Sequence, residues 1–340
     1  MLGMTVCVAL CAFALLFSSC NKKNVNQNQE NPPEENAQSV TISLGFSTNL
    51  EDPRGAASLL FKDEVEKNSN GRIKVMIHPD GELGADGDLI KGIIDGKVDM
   101  TVSSAGNFAV YATKLGISAM PFLFSDFDEA WAFMDGSLVA EVNKTLEEFG
   151  IFVLSHFDNG FRCVTTTSKA VKSVADMQGL NIRTPPNQIV METMSALGAN
   201  PKPYAFNELK KALKDGLFDS QENPIPIIYN SKLFEEQKFL SITNHSYDAM
   251  PLVIRLDLWN EFSQADKDII LAAAKKAQDL DRKLVKEQTE SYVSKLKEEG
   301  MTITNPDLKA FQKATSGVID VFTNVYGEEL LAKLKDATAK

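Results

Sequence analysis

Short alternating segments and helical segments follow one another along the first third of the chain. Residues 40–46 (VTISLGF) and 71–77 (GRIKVMI) alternate apolar with polar side chains, and 59–67 between them follow a helical stripe. This order predicts a β-α-β unit. A further helix is predicted over 89–94 and a strand over 98–102 (VDMTV). Strands interleaved with helices predict an α/β architecture with a largely parallel sheet.

An internal echo extends this prediction to the second half of the chain. Residues 89–103 read LIKGIIDGKVDMTVS and 209–223 read LKKALKDGLFDSQEN, so a helix followed by Asp-Gly and a second Asp occurs twice. Gly96 and Gly216 suit a helix end because glycine adopts positive φ without a Cβ clash. Two similarly built lobes are the favoured interpretation, and chance is the alternative, since Asp-Gly is common after helices.

One long amphipathic helix is predicted over 263–299, a segment with apolar residues at three- and four-residue spacing and no Gly or Pro. Ser263 and Asp266 resemble a capping box, and Gly300 can end the helix. Such a helix is longer than a small lobe is wide, so we expect it to brace both lobes. A coiled-coil dimer is the competing interpretation, but the apolar positions do not keep a clean heptad.

The N-terminal segment is typical of an exported lipoprotein. Residues 6–17 form an uncharged apolar run too short to span a bilayer, which suits a signal segment over 1–19. Ser18-Ser19-Cys20 resembles a lipoprotein cleavage box, so Cys20 is the candidate lipidation site. Residues 20–38 are polar and contain Pro32-Pro33, which predicts a disordered tether. An ordinary cleaved signal with a chance cysteine is the alternative.

Composition and charge narrow the possible partners. The 340 residues are 44% hydrophobic with a formal net charge of −11, which allows a buried core and disfavours nucleic acid as a partner. Four cysteines are present, and only Cys163 lies beyond the N-terminal segment, so no intramolecular disulfide is expected in the body. If the ligand is an anion, local arginines must capture it.

The central segment carries four long motifs. They are G-L-x-I-R-x-P over 179–185, A-L-G-A-x-P-x-P-x-A-F over 196–206, D-G-x-x-D-x-Q-E-N-P over 215–224, and E-x-Q-K-F-L-S-x-T-N-H over 235–245. These resemble the solute receptors of tripartite ATP-independent periplasmic (TRAP) transporters, of the dicarboxylate-receptor (DctP) type. The resemblance extends from about residue 39 to the C-terminus.

The resemblance implies a fold, a location and partners. The fold is α/β and periplasmic-binding-protein-like, with two α/β lobes and mixed β-sheets around a hinged cleft, spanned by the long helix. Lobe I is predicted over 39–159 plus 248–287, and lobe II over 160–247 plus 288–340. The chain is expected to be a periplasmic or extracytoplasmic receptor anchored to the membrane by lipid. Its expected partners are a small organic acid and the small and large integral membrane subunits.

Arginine chemistry points to an acid as the ligand. The chain has only six arginines, Arg54, Arg72, Arg162, Arg183, Arg255 and Arg282. A guanidinium matches a carboxylate bidentately, which Lys cannot do. In the family the arginine of I-R-x-P makes the main salt bridge to the ligand, and Arg183 matches it. Its companions match Arg162, after G-F, and Asn223, the last residue of Q-E-N. A structural ion pair is the alternative role for either arginine.

The remaining expected ligand contacts come from both lobes. Phe206 resembles the family's aromatic wall, although a Phe of this kind is more often core. The opposite lobe is expected to read hydroxyl groups through Glu82, Asp86, Ser104 and Asn107. Ser104 stands where sialic-acid receptors have a glutamate, which disfavours sialate. A sugar acid such as a uronate, or a C4-dicarboxylate, is the expected ligand.

An enzyme is the main rival interpretation. His78, His156 and His245 are scattered without a metal-binding spacing, and the chain contains no G-x-S-x-G, P-loop or G-x-G-x-x-G motif. Cys163 follows Arg162, which can lower a thiol pKa, but a buried strand thiol is commoner. We therefore expect no catalytic residue, metal or cofactor. A lipoprotein that binds another kind of ligand is the third interpretation.

Overall fold

The computed structural model describes residues 39–338. The predicted signal segment, Cys20 and the tether lie outside the described residues. Nine strands are found among them: β1 (Val40–Gly45), β2 (Ile73–His78), β3 (Met100–Val102), β4 (Ile151–Thr166), β5 (Asn181–Thr184), β6 (Asn200–Pro203), β7 (Ser220–Pro224), β8 (Phe239–Arg255) and β9 (Thr302–Thr304).

Helices cover both faces of the strands. In the described part they are α1 (Pro53–Asn68), α2 (Asp86–Ile94), α3 (Ala105–Phe108), α4 (Phe127–Met134), α5 (Ser137–Asn143), α6 (Gln188–Ala196), α7 (Leu209–Lys214), α8 (Ile225–Asn230), α9 (Leu256–Glu261), α10 (Gln264–Glu298), α11 (Leu308–Thr315), α12 (Val318–Val321) and α13 (Thr323–Thr338). Shorter 3₁₀ turns lie at Thr113–Ala119, Lys144–Phe149, Val174–Met177, Phe206–Glu208 and Leu233–Glu235.

The predicted β-α-β opening is confirmed, with a longer first helix. The helix α1 begins at Pro53, and the Asp52 side chain caps it by accepting a hydrogen bond from the Arg54 N–H at 3.2 Å. Proline suits the first helical position because its missing N–H has no intrahelical partner there. The sequence pattern missed this first turn because residues 53–58 (PRGAAS) are small or polar and show no apolar stripe.

The strands form one mixed sheet in the order β2-β1-β3-β8-β4-β7-β5-β6, with β9 on β8. Two parallel sets, β2-β1-β3 and β7-β5-β6, flank the long antiparallel strands β4 and β8. The two-lobed α/β fold is therefore confirmed, and the sheets of its two halves are continuous through β4 and β8. These two strands run the length of both halves.

The internal echo occupies equivalent places in the two halves. The helix α2 leads through Gly96 into β3, and α7 leads through Gly216 into β7. Both glycines adopt the expected left-handed conformation, with φ of 73° and 72°. Each strand then pairs with a long central strand, β3 with β8 and β7 with β4. This symmetry brings the small polar residues after the two echoes toward each other.

The long helix is confirmed as α10. The Ser263 side chain caps it by accepting from the Asp266 N–H at 3.2 Å, and Gly300 follows with a φ of 94°. Its 35 residues span about 52 Å at 1.5 Å per residue. Ala277 is buried in the core around β1 and α1, whereas Leu296 is buried in the core that includes Leu240. The helix therefore braces both halves.

The C-terminal helix packs partly outside the lobe to which the sequence assigned it. Leu331 and Leu334 belong to a buried cluster that also contains Leu138 and Val142. The sequence assigned 288–340 to lobe II, whereas Leu138 and Val142 lie in predicted lobe I. The exact residue boundaries of the lobes stay a prediction.

The strand β4 is irregular where it passes the centre of the sheet. Its pairing with β8 shifts register between Asp158 and Gly160 and again between Arg162 and Val164. Bulges of this kind bend a strand and re-aim its side chains. Gly160 has a φ of 106°, a conformation that glycine adopts without strain, and a Cβ there would lie 3.3 Å from Val285. The bend turns Asn159 and Arg162 toward one edge of the sheet.

Candidate functional site

A cavity of about 30 Å³ lies where the two halves of the sheet meet. Several lining residues stand at or just beyond the carboxyl ends of parallel strands, such as Ser47 after β1 and Arg183 in β5. This edge is where open α/β sheets bind ligands. The lining residues are Ser47, Thr48, Arg54, Asp86, Ser104, Asn107, Asn159, Arg162, Arg183, Pro185, Phe206, Asn223, Ile227 and Asp248.

Seven of the eight predicted binding residues line this cavity: Arg183, Arg162, Asn223, Phe206, Ser104, Asp86 and Asn107. Glu82 does not line it. Its side chain is 61% exposed and lies 3.3 Å from His78 Nδ1, because a turn closed by Glu82 N–H and the Pro79 carbonyl directs it outward. This placement follows from loop geometry that the sequence pattern does not determine, and a contact of Glu82 with the ligand stays a prediction.

Seven of the lining residues were not predicted from the sequence, and three of these, Arg54, Asn159 and Asp248, carry charged or amide side chains. Arg54 lies in the first turn of α1, Asn159 directly precedes the G-F-R sequence, and Asp248 lies three residues beyond the T-N-H motif. Proximity to those motifs was the available signal for Asn159 and Asp248. Arg54 carried no signal beyond its residue type, because only the packing of α1 brings it to the cavity.

Arg162 is paired with two buried carboxylates. Its Nη2 donates to Glu222 Oε1 at 2.9 Å and to Asn223 Oδ1 at 3.2 Å, its Nη1 donates to Asp248 Oδ2 at 2.6 Å, and its Nε also bonds Glu222. Burial acts to lower the pKa of Arg162, but the charges of Glu222 and Asp248 outweigh it and raise the pKa above its ordinary value. Arg162 therefore organises the floor of the cavity.

Buried partners hold the two carboxylates that face Arg162. His245 Nε2 lies 3.2 Å from Glu222 Oε2, and Asp248 accepts from Ser104 Oγ at 2.5 Å and from Asn159 Nδ2 at 2.8 Å. Burial acts to raise the pKa of Glu222, but Arg162 and His245 hold the pKa below its usual value. Both carboxylates are thus satisfied by protein donors.

Arg183 differs from Arg162 because it has no carboxylate partner in the described chain. It is 2% exposed, and its Nε and Nη2 both donate to the Tyr204 carbonyl, at 2.9 and 2.6 Å. The Phe206 ring centroid lies 6.0 Å from its guanidinium carbon. Burial, assisted by the charge of Arg162, lowers the pKa of Arg183 to about 10. A buried cation of this kind is stabilised by an anion placed beside it.

The opposite wall offers hydrogen-bonding groups. Asp86 Oδ1 accepts from Ser47 Oγ at 2.9 Å and from Ser103 Oγ at 3.1 Å, and Arg54 lies 4.0 Å away.

Asn223 gives one amide hydrogen to Gln221 Oε1 at 2.6 Å, which leaves the other for a ligand. The lining contains three arginines and two aspartates, a formal charge of +1 in a chain of net −11.

Residues 39–338 contain neither a cluster of metal-ligating side chains nor a helix that could span a membrane. No group of three or more His, Cys, Asp or Glu side chains in this part of the chain is arranged to hold a metal ion. Within the same range, every helix is too short or too polar to cross a bilayer.

A family model and a relative of known name both match most of the chain. Residues 44–324 match the DctP family, described as bacterial extracellular solute-binding protein, family 7. The 2,3-diketo-L-gulonate-binding periplasmic protein YiaO of Escherichia coli is 33% identical over 284 residues, which cover 83% of this chain and 87% of that protein.

Solved structures agree with this match. A TRAP periplasmic solute-binding protein from Polaromonas, bound to D-erythronate, is 32% identical with a TM-score of 0.86, and the match covers 89% of this chain and all of that one. The sugar-acid-binding protein DctPAm of Advenella mimigardefordensis, in complex with galactonate, is 29% identical with a TM-score of 0.86 over 88% of this chain and 98% of that one.

Proposed function

Since the chain belongs to the DctP family of bacterial extracellular solute-binding proteins, the receptors of TRAP transporters, we propose that its cavity binds a sugar acid with one carboxylate. Members of this family bind small organic acids and work with membrane subunits, and they are receptors rather than enzymes. The predicted receptor class is therefore confirmed, and the proposal concerns the ligand of this chain.

The observation that carries the proposal is the buried Arg183 guanidinium without a carboxylate partner. Its Nη1 has no acceptor among residues 39–338, and the side chain lines the cavity. A carboxylate placed there receives a charge-assisted hydrogen bond in a site with little water to screen it. Arg183 is thus the residue that captures the acid group.

The surroundings favour a single carboxylate over two. Arg162 is already neutralised by Glu222 and Asp248, so it does not offer a second free cation. The opposite wall presents the Asp86 carboxylate with hydroxyl and amide groups of Ser104 and Asn107, which suit ligand hydroxyls. The relatives that bind sugar acids support this preference, and a C4-dicarboxylate is the less favoured ligand.

A binding screen tests the ligand class. Purified protein is heated with D-erythronate, D-galactonate, L-gulonate, D-galacturonate and succinate, and hits are measured by calorimetry. A ligand at 100 times its Kd adds about 2.7 kcal/mol to folding stability, which gives a clear thermal shift. We expect one-to-one binding of at least one monocarboxylate and no turnover. A response to succinate alone would contradict the proposal.

Arg183→Met separates binding from stability. Losing one partner of a buried ion pair costs about 3–5 kcal/mol, so affinity for the acid is expected to fall by a factor between about a hundred and several thousand. The unliganded variant is expected to remain folded, because it no longer buries an uncompensated charge. Arg255→Ala is the matched control, since Arg255 lies outside the cavity and pairs with Asp99 and Asp257. Equal affinities of wild type and Arg183→Met would refute the role of Arg183.

Two finer expectations belong to the same proposal. The lobes of the predicted boundaries close over the acid, and the closed receptor passes it to the membrane subunits. Cys20 carries a lipid that anchors the receptor, with residues 20–38 as its tether. Mass spectrometry of the N-terminal peptide from the native host checks this, and an unmodified cysteine or a different N-terminus would contradict the anchor.

A further inference from the structure

A second cavity adjoins the first and shares part of its lining. We call the first the inner cavity. The second, the outer chamber, has a volume of about 350 Å³. Five residues line both, Asp86, Asn107, Arg183, Pro185 and Phe206. Arg183 therefore stands between the two spaces, and a group bound to it can extend into either.

The volumes decide which part of an acid fits each space. The inner cavity measures about 30 Å³. A water needs about 10–15 Å³ by this kind of measure, so the inner cavity has room for two or three such centres. That matches a carboxylate group and is too small for a six-carbon chain. In this conformation the carbon chain of a sugar acid must extend into the outer chamber.

The walls of the outer chamber indicate the chemistry of that chain. One wall is the first turn of α2, which carries the Asp86 and Asp88 carboxylates. The facing wall is formed by Pro203 and Tyr204. A second carboxylate at the far end of the ligand would lie beside the Asp88 carboxylate and beside Asp86, whose charge Arg54 offsets only from 4.0 Å, and this repulsion is unfavourable. Hydroxyl groups avoid this repulsion and can donate hydrogen bonds to the same aspartates.

We propose that the outer chamber is the subsite for the distal, uncharged, hydroxylated end of the acid, and that Gly87 sets the chain length it admits. This proposal rests on the proposed function. Gly87 lines the chamber from the first turn of α2, and a Cβ built on it would meet no atom within 4 Å. A side chain at this position therefore enters open space rather than the protein core.

Gly87→Leu tests the subsite without straining the fold. The helix tolerates the change because leucine has a higher helix propensity than glycine. Gly317→Leu is the matched control, since Gly317 is also exposed, has open space around its Cβ and does not line either cavity. The affinities of both variants and wild type are measured by calorimetry with the four-carbon D-erythronate and the six-carbon D-galactonate.

The expected result is a loss of affinity that depends on the length of the acid's carbon chain. Excluding a small ligand group from a fitted pocket lowers affinity about tenfold or more. Gly87→Leu should therefore lower the affinity for D-galactonate by at least that factor. Its effect on D-erythronate should stay below about twofold, the scatter expected of surface changes. Gly317→Leu should change neither. Galactarate, which carries a carboxylate at both ends, should bind wild type at least about tenfold more weakly than D-galactonate.

Other outcomes overturn the subsite and can be told apart from failure of the receptor function. Three results would overturn the subsite while the acid-binding function stands. They are an equal loss of affinity for both acids in Gly87→Leu, no loss of affinity for either acid, and tight binding of galactarate by wild type. Binding of D-erythronate but not D-galactonate by wild type would also overturn it. Failure of wild type to bind any acid in the panel would overturn the proposed function and the subsite with it.

Discussion

The buried carboxyl of Asp158 predicts a specific loss of stability as the pH rises. Asp158 lies in β4 with no exposed surface, and its Oδ2 accepts from Trp131 Nε1 at 2.6 Å. The Asp281 carboxylate of α10 accepts from the Asp158 N–H at 2.5 Å, which brings a second buried acid close. Asp281 Oδ1 has no hydrogen-bond partner in the described chain.

The electrostatics of this pair favour the protonated acid. Burial raises the pKa of Asp158 from 3.8 to about 7, against the opposing effects of Trp131 and Arg282, and burial also raises the pKa of Asp281. A carboxyl whose pKa is higher in the folded than in the unfolded state stabilises the fold while it is protonated. This stabilisation is complete below about pH 4 and is lost as the pH rises to about 7. Between pH 5 and pH 8 the loss from Asp158 is about 3 kcal/mol.

Asp158→Asn removes this titration while keeping an oxygen that can accept from Trp131. Urea denaturation followed by tryptophan fluorescence gives the free energy of unfolding at pH 5 and pH 8. We expect the difference between the two pH values to shift by about 3 kcal/mol relative to wild type, with the variant the less sensitive to alkali. Asp268→Asn, an exposed position on α10, is the control. Parallel pH profiles of wild type and Asp158→Asn would refute the reasoning.

Two other predictions concern neighbouring residues of β4, Arg162 and Cys163. Arg162→Met leaves the Glu222 and Asp248 carboxylates buried without their cation. The free energy of unfolding, measured in urea, should therefore fall by about 3–5 kcal/mol. An unchanged free energy of unfolding would show that the network does not exist. Cys163 is fully buried, and burial raises the pKa of its thiol to about 11. Iodoacetamide should therefore modify Cys163 only under unfolding conditions, which mass spectrometry of the peptide containing it can check. Rapid modification of the native protein would contradict this burial.

The sequence was informative where the signal is local. The helix α10 could be bounded to within one residue because Ser263, an unbroken apolar stripe and Gly300 all act within the segment. Arg183 could be identified because it stands inside a long specific motif. The echo over 89–103 and 209–223 likewise predicted equivalent structures, because each copy carries its own helix end.

The sequence was uninformative where distant segments meet. Arg54 and Asp248 reach the cavity through tertiary packing of α1 and β8, and no local pattern reports that packing. The partners of Arg162 were undetermined for the same reason, since Glu222 and Asp248 lie 60 and 86 residues away along the chain. Glu82 lies outside the cavity because a turn, and not the residue type, decides the direction of its side chain.

The bend in β4 has a practical consequence for anyone who wishes to change what this receptor recognises. Arg162 both supports the ligand site and sits at a register shift of the strand that joins the two halves. Substitutions between Asp158 and Val164 should therefore alter the ligand site and the pairing of the central strands together. A biosensor built on this scaffold is better diversified at Gly87, where a side chain enters open space and leaves that pairing intact.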